Sequence, residues 1–279
     1  MKLKRRVRKK LKNEVKRYVP SSALPAGRAV YRTYMRLLSW YVGLRDRRYV
    51  EKTEFARLPP AYLRYRVHGS PYAHGFLKVG RRSSEDIEAA LNKVGKDFDS
   101  FRDVLDFGCG CGRTLIWFAG RPPRLYGTDI DGEAISWCRN NLDFAEFGVN
   151  NALPPLEYPS ERFDLIYAIS VFTHLDEDYQ FRWLNELTRV TRPEGIVLLT
   201  VHGYQAWKDL PHHDVIDIEK EGFKFISSNV MKGIFPEWYQ NAYHKKEYVL
   251  DQYSKYFDIL DYIPRGMNKH QDVVVLQKP

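Results

Sequence analysis

The feature that most constrains the fold is a run of alternating glycines directly after an apolar segment, VLDFGCGCGR at residues 104–113. Glycine allows the backbone to turn with positive φ and to approach a ligand closely. In open parallel α/β sheets, ligands bind at the carboxyl ends of the strands, where such a turn would lie. Three kinds of site fit this run alone: a dinucleotide loop, a metal site, and a cradle for another nucleotide-like cofactor.

The chain around this run alternates between strand and helix patterns. The first predicted strands cover residues 103–107, 124–129, 164–169 and 196–201. The helices between them are predicted at 113–119, 132–142 and 177–190. Two more strands, joined by a glycine-containing turn, are predicted at 257–263 and 272–278. This alternation predicts an α/β fold, with a parallel sheet and helices on both of its faces.

The first hundred residues follow a different pattern. Apolar spacing predicts helices at 29–50 and 84–95, and the glycine-, aromatic- and histidine-rich segment 65–80 is predicted to be an ordered loop. We therefore expect three parts, which are a basic amphipathic arm at 1–20, a helical and loop extension covering the site at 21–100, and an α/β domain at 101–279.

The net charge of +9 comes from the N-terminal arm. Residues 1–17 hold ten Lys or Arg and one acid, whereas the remaining residues hold 34 basic and 34 acidic side chains. Apolar residues recur at every fourth position of the arm, at Leu3, Val7, Leu11, Val15 and Val19. This pattern predicts a basic amphipathic helix that binds an anionic membrane surface, nucleic acid or a partner, or else a solubilising tail.

No segment is expected to cross a membrane. The longest apolar stretch near the N-terminus, 37–44, is far shorter than the roughly 20 residues that a bilayer requires. The basic start is not followed by the apolar core of a signal peptide. Three cysteines give no disulfide framework, which fits a reducing compartment. The sequence predicts a cytoplasmic protein, with peripheral attachment at the inner membrane surface as an option for the arm.

The residues around the glycines distinguish between the three kinds of site. A dinucleotide fingerprint has its third glycine where Arg113 stands. Asp106 precedes the glycine turn, where a carboxylate disfavours a pyrophosphate and suits a positively charged ligand group. The second strand ends at Asp129, 23 residues later, where a carboxylate can accept both ribose hydroxyls. A Cys-x-Cys pair without a second pair or a His cluster is a poor zinc pattern, so no metal is expected.

Together these motifs resemble those of the class I S-adenosylmethionine-dependent methyltransferases. VLDFGCGCGR is similar to their glycine motif, and YGTDID (126–131) to their acidic ribose motif. NNALPPLEYPSERFDLIYAISVFTHL (150–175) resembles the stretch from the adenine loop to the fourth strand. LTRVTRPEGIVLLTVHG (187–203) resembles the next helix and the fifth strand, with Pro-Glu-Gly in place of the usual Pro-Gly-Gly.

The resemblance implies a definite architecture. It is a seven-stranded, mostly parallel Rossmann-like sheet with helices on both faces and an antiparallel last strand. The N-terminal helical extension is added to it, and a substrate cap at 204–245 lies between strands five and six.

The resemblance also implies which residues hold the methionyl end of S-adenosylmethionine. Asp106 would face the amino group, directly or through water. The backbone at Gly108, Cys109 and Gly110 would hold the methionyl chain. Ser170, at the end of the fourth strand, would border the sulfonium.

The nucleoside end would be held by residues after the second strand. Asp129 would bind the ribose, and Ile130 could pack on the adenine ring. The side-chain carbonyl oxygen of Asn151 would accept a hydrogen bond from the adenine amino group, with Asn150 as the alternative register.

Three histidines are candidate catalytic bases. His174 follows the fourth strand and His202 follows the fifth, so both are expected at the ligand-binding edge of the sheet. His74, in the predicted loop, could close over them. His202 is the leading candidate by position.

The activity implied by the resemblance is methyl transfer by in-line displacement. The protein supplies alignment, exclusion of water and, for a hydroxyl acceptor, removal of a proton. Ser170-Val171-Phe172-Thr173 stands where enzymes that methylate amides or nucleobase amino groups commonly carry Asn-Pro-Pro-Tyr. We therefore expect O-methylation of a small-molecule or glycan-type hydroxyl. The alternatives are an RNA methyltransferase that uses the basic arm and a non-catalytic partner protein that binds S-adenosylmethionine.

Overall fold

The structure, a computed structural model, describes residues 24–53, 55, 57–226 and 240–279. The predicted basic arm at 1–20 lies outside the described residues, and so does part of the predicted cap, residues 227–239.

A seven-stranded sheet forms the centre of the fold. The strands in the described residues are β1 (Asp103–Phe107), β2 (Arg124–Asp129), β3 (Ala145–Val149), β4 (Phe163–Ala168), β5 (Thr191–Val201), β6 (Phe223–Ile226), β7 (Asn241–His244), β8 (Asp258–Met267) and β9 (Gln271–Gln277). The central sheet has the order β3-β2-β1-β4-β5-β9-β8, and β6 pairs with β7 in a separate small sheet. β9 runs antiparallel to both of its neighbours, whereas the other adjacent pairs are parallel. The predicted Rossmann-like fold with an antiparallel last strand is confirmed.

Helices cover both faces of this sheet. The helices in the described residues are α1 (Leu24–Val50), α2 (Ala61–His68), α3 (Ala73–Lys93), α4 (Gly132–Asn141), α5 (Glu177–Val190), α6 (Tyr204–Trp207), α7 (His212–Glu221) and α8 (Lys246–Tyr253). Successive strand residues point to opposite faces, so Val104 of β1 joins a core cluster with Leu91 of α3. Leu105 joins the cluster on the other face, with Trp183 of α5. All five residues of β1 are buried, because helices cover the strand on both faces of the sheet.

The expectation of an ordered loop at 65–80 is wrong, because α2 and α3 occupy most of this segment. Gly69 ends α2 with a φ of +70°. Gly80 lies inside α3, where a Cβ would be 2.2 Å from the carbonyl oxygen of Arg113. Glycine here permits close packing of a helix on the glycine turn rather than forming a loop.

Two smaller differences concern the α/β domain. The predicted helix at 113–119 is a short 3-10 helix, Leu115–Phe118. β3 had no strand signal of its own, because its sequence AEFGV contains a charge and a glycine and its Phe147 alone is buried.

The N-terminal extension packs beside the glycine turn. The hydroxyl of Ser39 on α1 accepts a hydrogen bond from the amide of Tyr62 on α2, at 3.2 Å. α2 in turn places Arg66 and Val67 next to the turn after β1. Within the described part of the chain, no helix is both long and apolar enough to span a bilayer.

The described part of the cap packs on the ends of β4 and β5. The amide of Ala242 in β7 donates to the carbonyl of Thr173 at 2.9 Å, and the amide of His244 donates to the carbonyl of His202 at 2.9 Å. The extension and the cap therefore border different halves of the same sheet edge.

Candidate cofactor site

A cavity of about 370 Å³ lies at the carboxyl ends of β1, β2 and β4. Its volume is in the range of small-molecule sites. The strand order reverses between β1 and β4, and this reversal is where open α/β sheets bind ligands. All eight residues that the sequence assigns to cofactor binding line the cavity, and they are Asp106, Gly108, Cys109, Gly110, Asp129, Ile130, Asn151 and Ser170.

The glycine turn forms one wall of the cavity. Gly108 and Gly110 have φ values of +82° and +56°, a region that side chains rarely adopt. A Cβ on Gly108 would lie 2.3 Å from Cγ2 of Val171, and one on Gly110 would lie 2.7 Å from Cγ2 of Val67. Both conformation and space therefore require glycine at these positions.

Asp129 ties the glycine turn to the second strand. Its Oδ2 accepts a hydrogen bond from the amide of Gly110 at 2.7 Å, and its Oδ1 accepts one from the amide of Asp131 at 2.8 Å. Each carboxylate oxygen has capacity for another hydrogen bond. The side chain that shapes the turn is thus also able to accept ribose hydroxyls.

Asp106 is a buried acid without a salt bridge to any described Lys or Arg. Its side chain lies in the cavity wall, and the residue is 3% exposed. Burial raises the pKa of Asp106 to about 8, and the Tyr167 hydroxyl and the Arg113 guanidinium only partly oppose this effect, while Asp129 adds to it. A bound ammonium group would stabilise the ionised carboxylate. The site therefore favours a ligand with a cationic group.

The two asparagines after β3 differ in burial and in hydrogen bonding. Oδ1 of Asn150 is buried without a hydrogen-bond partner among the described residues. Its Nδ2 donates to the carbonyl of Asn151 at 2.8 Å, whereas the side chain of Asn151 is exposed. An unpaired buried acceptor costs about 1–3 kcal/mol, and a ligand N–H would remove that cost. Ile130, 41% exposed, offers apolar surface beside it.

Ser170 has a strained backbone at the end of β4. Its φ is +59°, in the left-handed region. Its amide donates to Oγ1 of Thr200 at 2.7 Å, and its hydroxyl accepts from Nε2 of Gln271 at 2.8 Å. Thr200 and Gln271 hold Ser170 in this conformation, and neither was identified from the sequence.

Two arginines that the sequence did not mark as binding residues also line the cavity. Arg66 of α2 pairs with Asp131 at 3.1 Å and with Glu133 at 2.9 Å. Arg113 donates to the carbonyl of Val67 at 3.4 Å. Both guanidinium groups add positive charge to the cavity wall, and the charge of Arg66 is balanced by its two carboxylate partners. Arg113 adjoins the glycine motif, but no local pattern marks Arg66.

His174 and His202 are brought together under the cap, with ring centroids 6.0 Å apart. Nδ1 of His174 lies 2.7 Å from the Gln240 carbonyl, and Nδ1 of His202 lies 3.2 Å from the Ala242 carbonyl. Because a carbonyl only accepts, Nδ1 carries the proton and Nε2 is the basic nitrogen. Burial lowers the pKa of His174, and it lowers that of His202 to about 3. Both rings are therefore neutral at pH 7.

The histidines do not line the cavity as far as the described residues define it. His74 lies on α3, where its exposed ring makes an edge contact with Tyr49 at 5.5 Å. The segment that carries His74 is a helix and not the predicted ordered loop, and among the described ring contacts His74 meets Tyr49 while His174 meets His202.

The cysteines of the motif fill space in the turn. Cys109 and Cys111 are buried, and burial raises the pKa of both thiols. Metal ligation needs the thiolate. Within the described ranges, no group of three or more His, Cys, Asp or Glu side chains is arranged to hold a metal ion.

Comparison with known proteins agrees with this geometry. Residues 104–195 match the family model of a methyltransferase domain. A methyltransferase of Streptomyces halstedii, GfsG, is 30% identical over 164 residues, which is 54% of this chain and 52% of the relative. This chain therefore matches only about half the length of that relative.

Solved structures resemble the fold. The S-adenosylmethionine-dependent methyltransferase of Mesorhizobium loti has a TM-score of 0.53 at 13% identity, covering 68% of this chain and 96% of that one. The 1,6-didemethyltoxoflavin N1-methyltransferase of Burkholderia thailandensis, solved with S-adenosylhomocysteine, has a TM-score of 0.51 at 17% identity, covering 72% and 79%. Residues 104–195 therefore match a methyltransferase domain, and the sheet order and the motif geometry agree with the fold of the class I S-adenosylmethionine-dependent methyltransferases.

Proposed function

We propose that this protein transfers a methyl group from S-adenosylmethionine to a hydroxyl of a small-molecule or glycan-type acceptor. The observation that carries the cofactor assignment is Asp106, a buried carboxyl whose pKa is raised to about 8 in the wall of the cavity. A cationic amino group on the ligand supplies the positive partner that the ionised form of this carboxyl lacks among the described residues.

The cavity residues fit the rest of the cofactor. Arg113 supplies positive charge for its carboxylate, and Asp129 accepts hydrogen bonds from the ribose. Asn150 offers a buried unpaired oxygen to the adenine amino group. When bound, S-adenosylmethionine supplies a methyl group on a sulfonium, which is an excellent leaving group. The protein's task is then alignment, exclusion of water and proton removal.

A hydroxyl acceptor is supported by the segment Ser170-Val171-Phe172-Thr173, which stands where enzymes that methylate amides or nucleobase amino groups commonly carry Asn-Pro-Pro-Tyr. A hydroxyl must lose its proton during attack, and general bases typically contribute about 10²–10⁴ in rate. His174 follows β4 and His202 follows β5, and both imidazoles are neutral, with burial lowering the pKa of His202 to about 3 and so making it a weak base in the free protein. The balanced charge of residues 18–279, with 34 basic and 34 acidic side chains, favours a small acceptor over RNA.

The cofactor assignment is tested by calorimetric titration of the full chain with S-adenosylmethionine and S-adenosylhomocysteine. We expect saturable binding of one equivalent of either compound. Absence of heat with both, in protein that unfolds cooperatively, would contradict the assignment.

The acceptor class is tested by methylation with labelled cofactor and mass spectrometry of the products. Pools of hydroxylated small molecules and glycans are compared with amines and with total RNA. Label on oxygen is the expected result, and label confined to nitrogen or RNA would reject O-methylation.

The role of the histidine pair is tested separately. His202→Gln and His174→Gln should lower kcat by about tenfold or more and leave cofactor affinity within about twofold, because neither ring lines the cavity. His74→Gln is the matched control, since its ring is on α3 against Tyr49. Equal activity of all three variants would remove the histidines from the mechanism.

A further inference from the structure

α1 presents two opposite faces, and one of them packs on the body of the protein. Ser39 accepts the amide hydrogen bond of Tyr62, and Val42 is fully buried. Asp46 pairs with Arg64 at 2.7 Å. Residues 39, 42 and 46 follow the helical spacing i, i+3, i+7, so they form one stripe that attaches α1 to α2.

The other face carries large apolar side chains in water. Leu37, Trp40, Tyr41 and Leu44 are 64%, 69%, 53% and 55% exposed. Their spacing i, i+3, i+4, i+7 places them on a single stripe, which we call the outer stripe of α1. Single exposed apolar residues are ordinary, but a contiguous group of this size marks an interaction surface.

The charge around the outer stripe is strongly positive. Residues 1–50 contain 16 of the 44 Lys and Arg residues of the chain and two of its 35 acids. One of these acids, Asp46, is neutralised by Arg64 on the inner face. Arg45 and Arg48 are exposed near the stripe, and the Arg45 guanidinium lies 5.9 Å from the centre of the Tyr41 ring. The remainder of the chain holds 28 basic and 33 acidic residues, so the positive charge is concentrated at this end.

We propose that the outer stripe of α1 binds the surface of an anionic lipid bilayer. Leu37 and Leu44 enter the boundary between headgroups and acyl chains, and Trp40 and Tyr41 lie at the interface, where amphipathic rings are favoured. The exposed Arg45 and Arg48 face the anionic headgroups, and the ten Lys and Arg of residues 1–17 add positive charge to the same end of the sequence. This surface is separate from the cofactor cavity and does not depend on the proposed function.

The charge distribution argues against other occupants. A second copy pairing through the same stripe would bring two strongly positive segments together. A nucleic acid would neutralise the arginines, but its binding would leave four large apolar side chains in water. An anionic bilayer satisfies both the apolar stripe and the positive charge.

The test uses flotation of the full chain with vesicles of phosphatidylcholine alone or with about one third phosphatidylglycerol. Wild-type protein should float with the anionic vesicles, and added salt should weaken this binding. Replacing Trp40→Ser and Leu44→Ser together should lower the vesicle affinity at least about tenfold, because apolar burial is lost without a change of charge. The matched control is Tyr204→Ser with Ile216→Ser, two residues 62% and 49% exposed on other helices, which should bind like the wild type.

A second readout does not rely on the double variant. Brominated phosphatidylcholine in the anionic vesicles should quench tryptophan fluorescence in the wild type, and Trp40→Phe should lose most of that quenching. Three results overturn the proposal: equal flotation of the wild type and the stripe variant, retention on RNA with no binding to vesicles, or a dimer that the stripe variant abolishes while vesicles do not bind.

Discussion

The two ends of β1 carry two buried acids in opposite situations. Asp103 opens the strand, its side chain is fully buried, and it pairs with Arg124 at 2.7 Å, Arg162 at 2.8 Å and Arg192 at 3.0 Å. Burial alone would raise the pKa of Asp103, but the three guanidinium groups outweigh burial and hold it below its ordinary value. Three residues later, Asp106 has no described salt bridge, and burial raises its pKa to about 8.

This difference separates a structural acid from a binding acid. The charge of Asp103 is neutralised by the protein's own arginines at the amino edge of the sheet. The carboxyl of Asp106 has no arginine salt bridge among the described residues, and it lies in a cavity wall at the carboxyl edge of the sheet. A carboxyl that its own fold leaves uncompensated, at a place where ligands bind, is a functional-site candidate on physical grounds.

The largest expected effect is the loss of stability when Asp103, at the amino end of β1, is replaced. Asp103→Asn leaves three arginines without their common partner, and breaking a buried ion pair is strongly destabilising. We expect the free energy of unfolding to fall by about 3 kcal/mol. Urea denaturation measures this value, while the cofactor affinity of the folded fraction should stay within about twofold. A loss below about 1 kcal/mol would show that Asp103 is not a structural acid in this sense.

The same Asp-to-Asn substitution at Asp106, near the carboxyl end of β1, should weaken cofactor binding without lowering stability. Asp106→Asn removes the partner of the cationic ligand group, so the affinity for S-adenosylmethionine should fall about 100-fold by calorimetry. Stability at pH 7 should not fall, because the neutral amide avoids the cost of burying this carboxyl. Asp214→Asn, an 8% exposed acid in the cap helix α7, is the matched control and should leave cofactor affinity unchanged.

The next prediction tests whether the glycine turn after β1 has room for a side chain at Gly110. Gly110→Ala places a Cβ 2.7 Å from Val67 at a φ of +56°, whereas Gly120→Ala has a φ of +77° with nothing within 4 Å. Backbone strain is common to both, so Gly120→Ala should cost about 1 kcal/mol of stability. Gly110→Ala should cost about 2 kcal/mol and should also weaken cofactor binding at least about tenfold. Equal effects of the two variants on affinity would mean that the turn tolerates a side chain.

Local patterns predicted well the strands that border the cavity. Apolar runs ending in Asp106 and Asp129, with glycines after the first, gave the bounds of β1 and β2 as observed. Here backbone conformation, burial and ligand chemistry all act within a few residues of one another, so the sequence carries their combined signal.

Long-range contacts account for what the sequence did not show. Gln271 contacts Ser170 from 101 residues away, and Arg66 reaches Glu133 from 67 residues away. Such partners are set by the topology of the sheet and the docking of α2, which leave no local pattern. The loop prediction for 65–80 was wrong for a related reason. Gly80 is required by close packing against Arg113, which lies in a distant segment of the sequence.

The smallest effect concerns protons and distinguishes the two acids most directly. In the free protein at pH 7, a pKa of about 8 keeps Asp106 protonated. A bound ammonium group favours the carboxylate, so cofactor binding should release close to one proton at pH 7. Affinity should therefore rise by up to about tenfold per pH unit as the pH approaches 8 from below, until the ligand's own amino group begins to deprotonate near pH 8.

Calorimetry in buffers of different ionisation enthalpy measures the released proton. Asp106→Asn should release none, whereas Asp103, with its lowered pKa, is already ionised and contributes nothing. Identical heats in all buffers for the wild type would show that cofactor binding does not change the protonation of Asp106, which would contradict a raised pKa that the ligand's cation lowers.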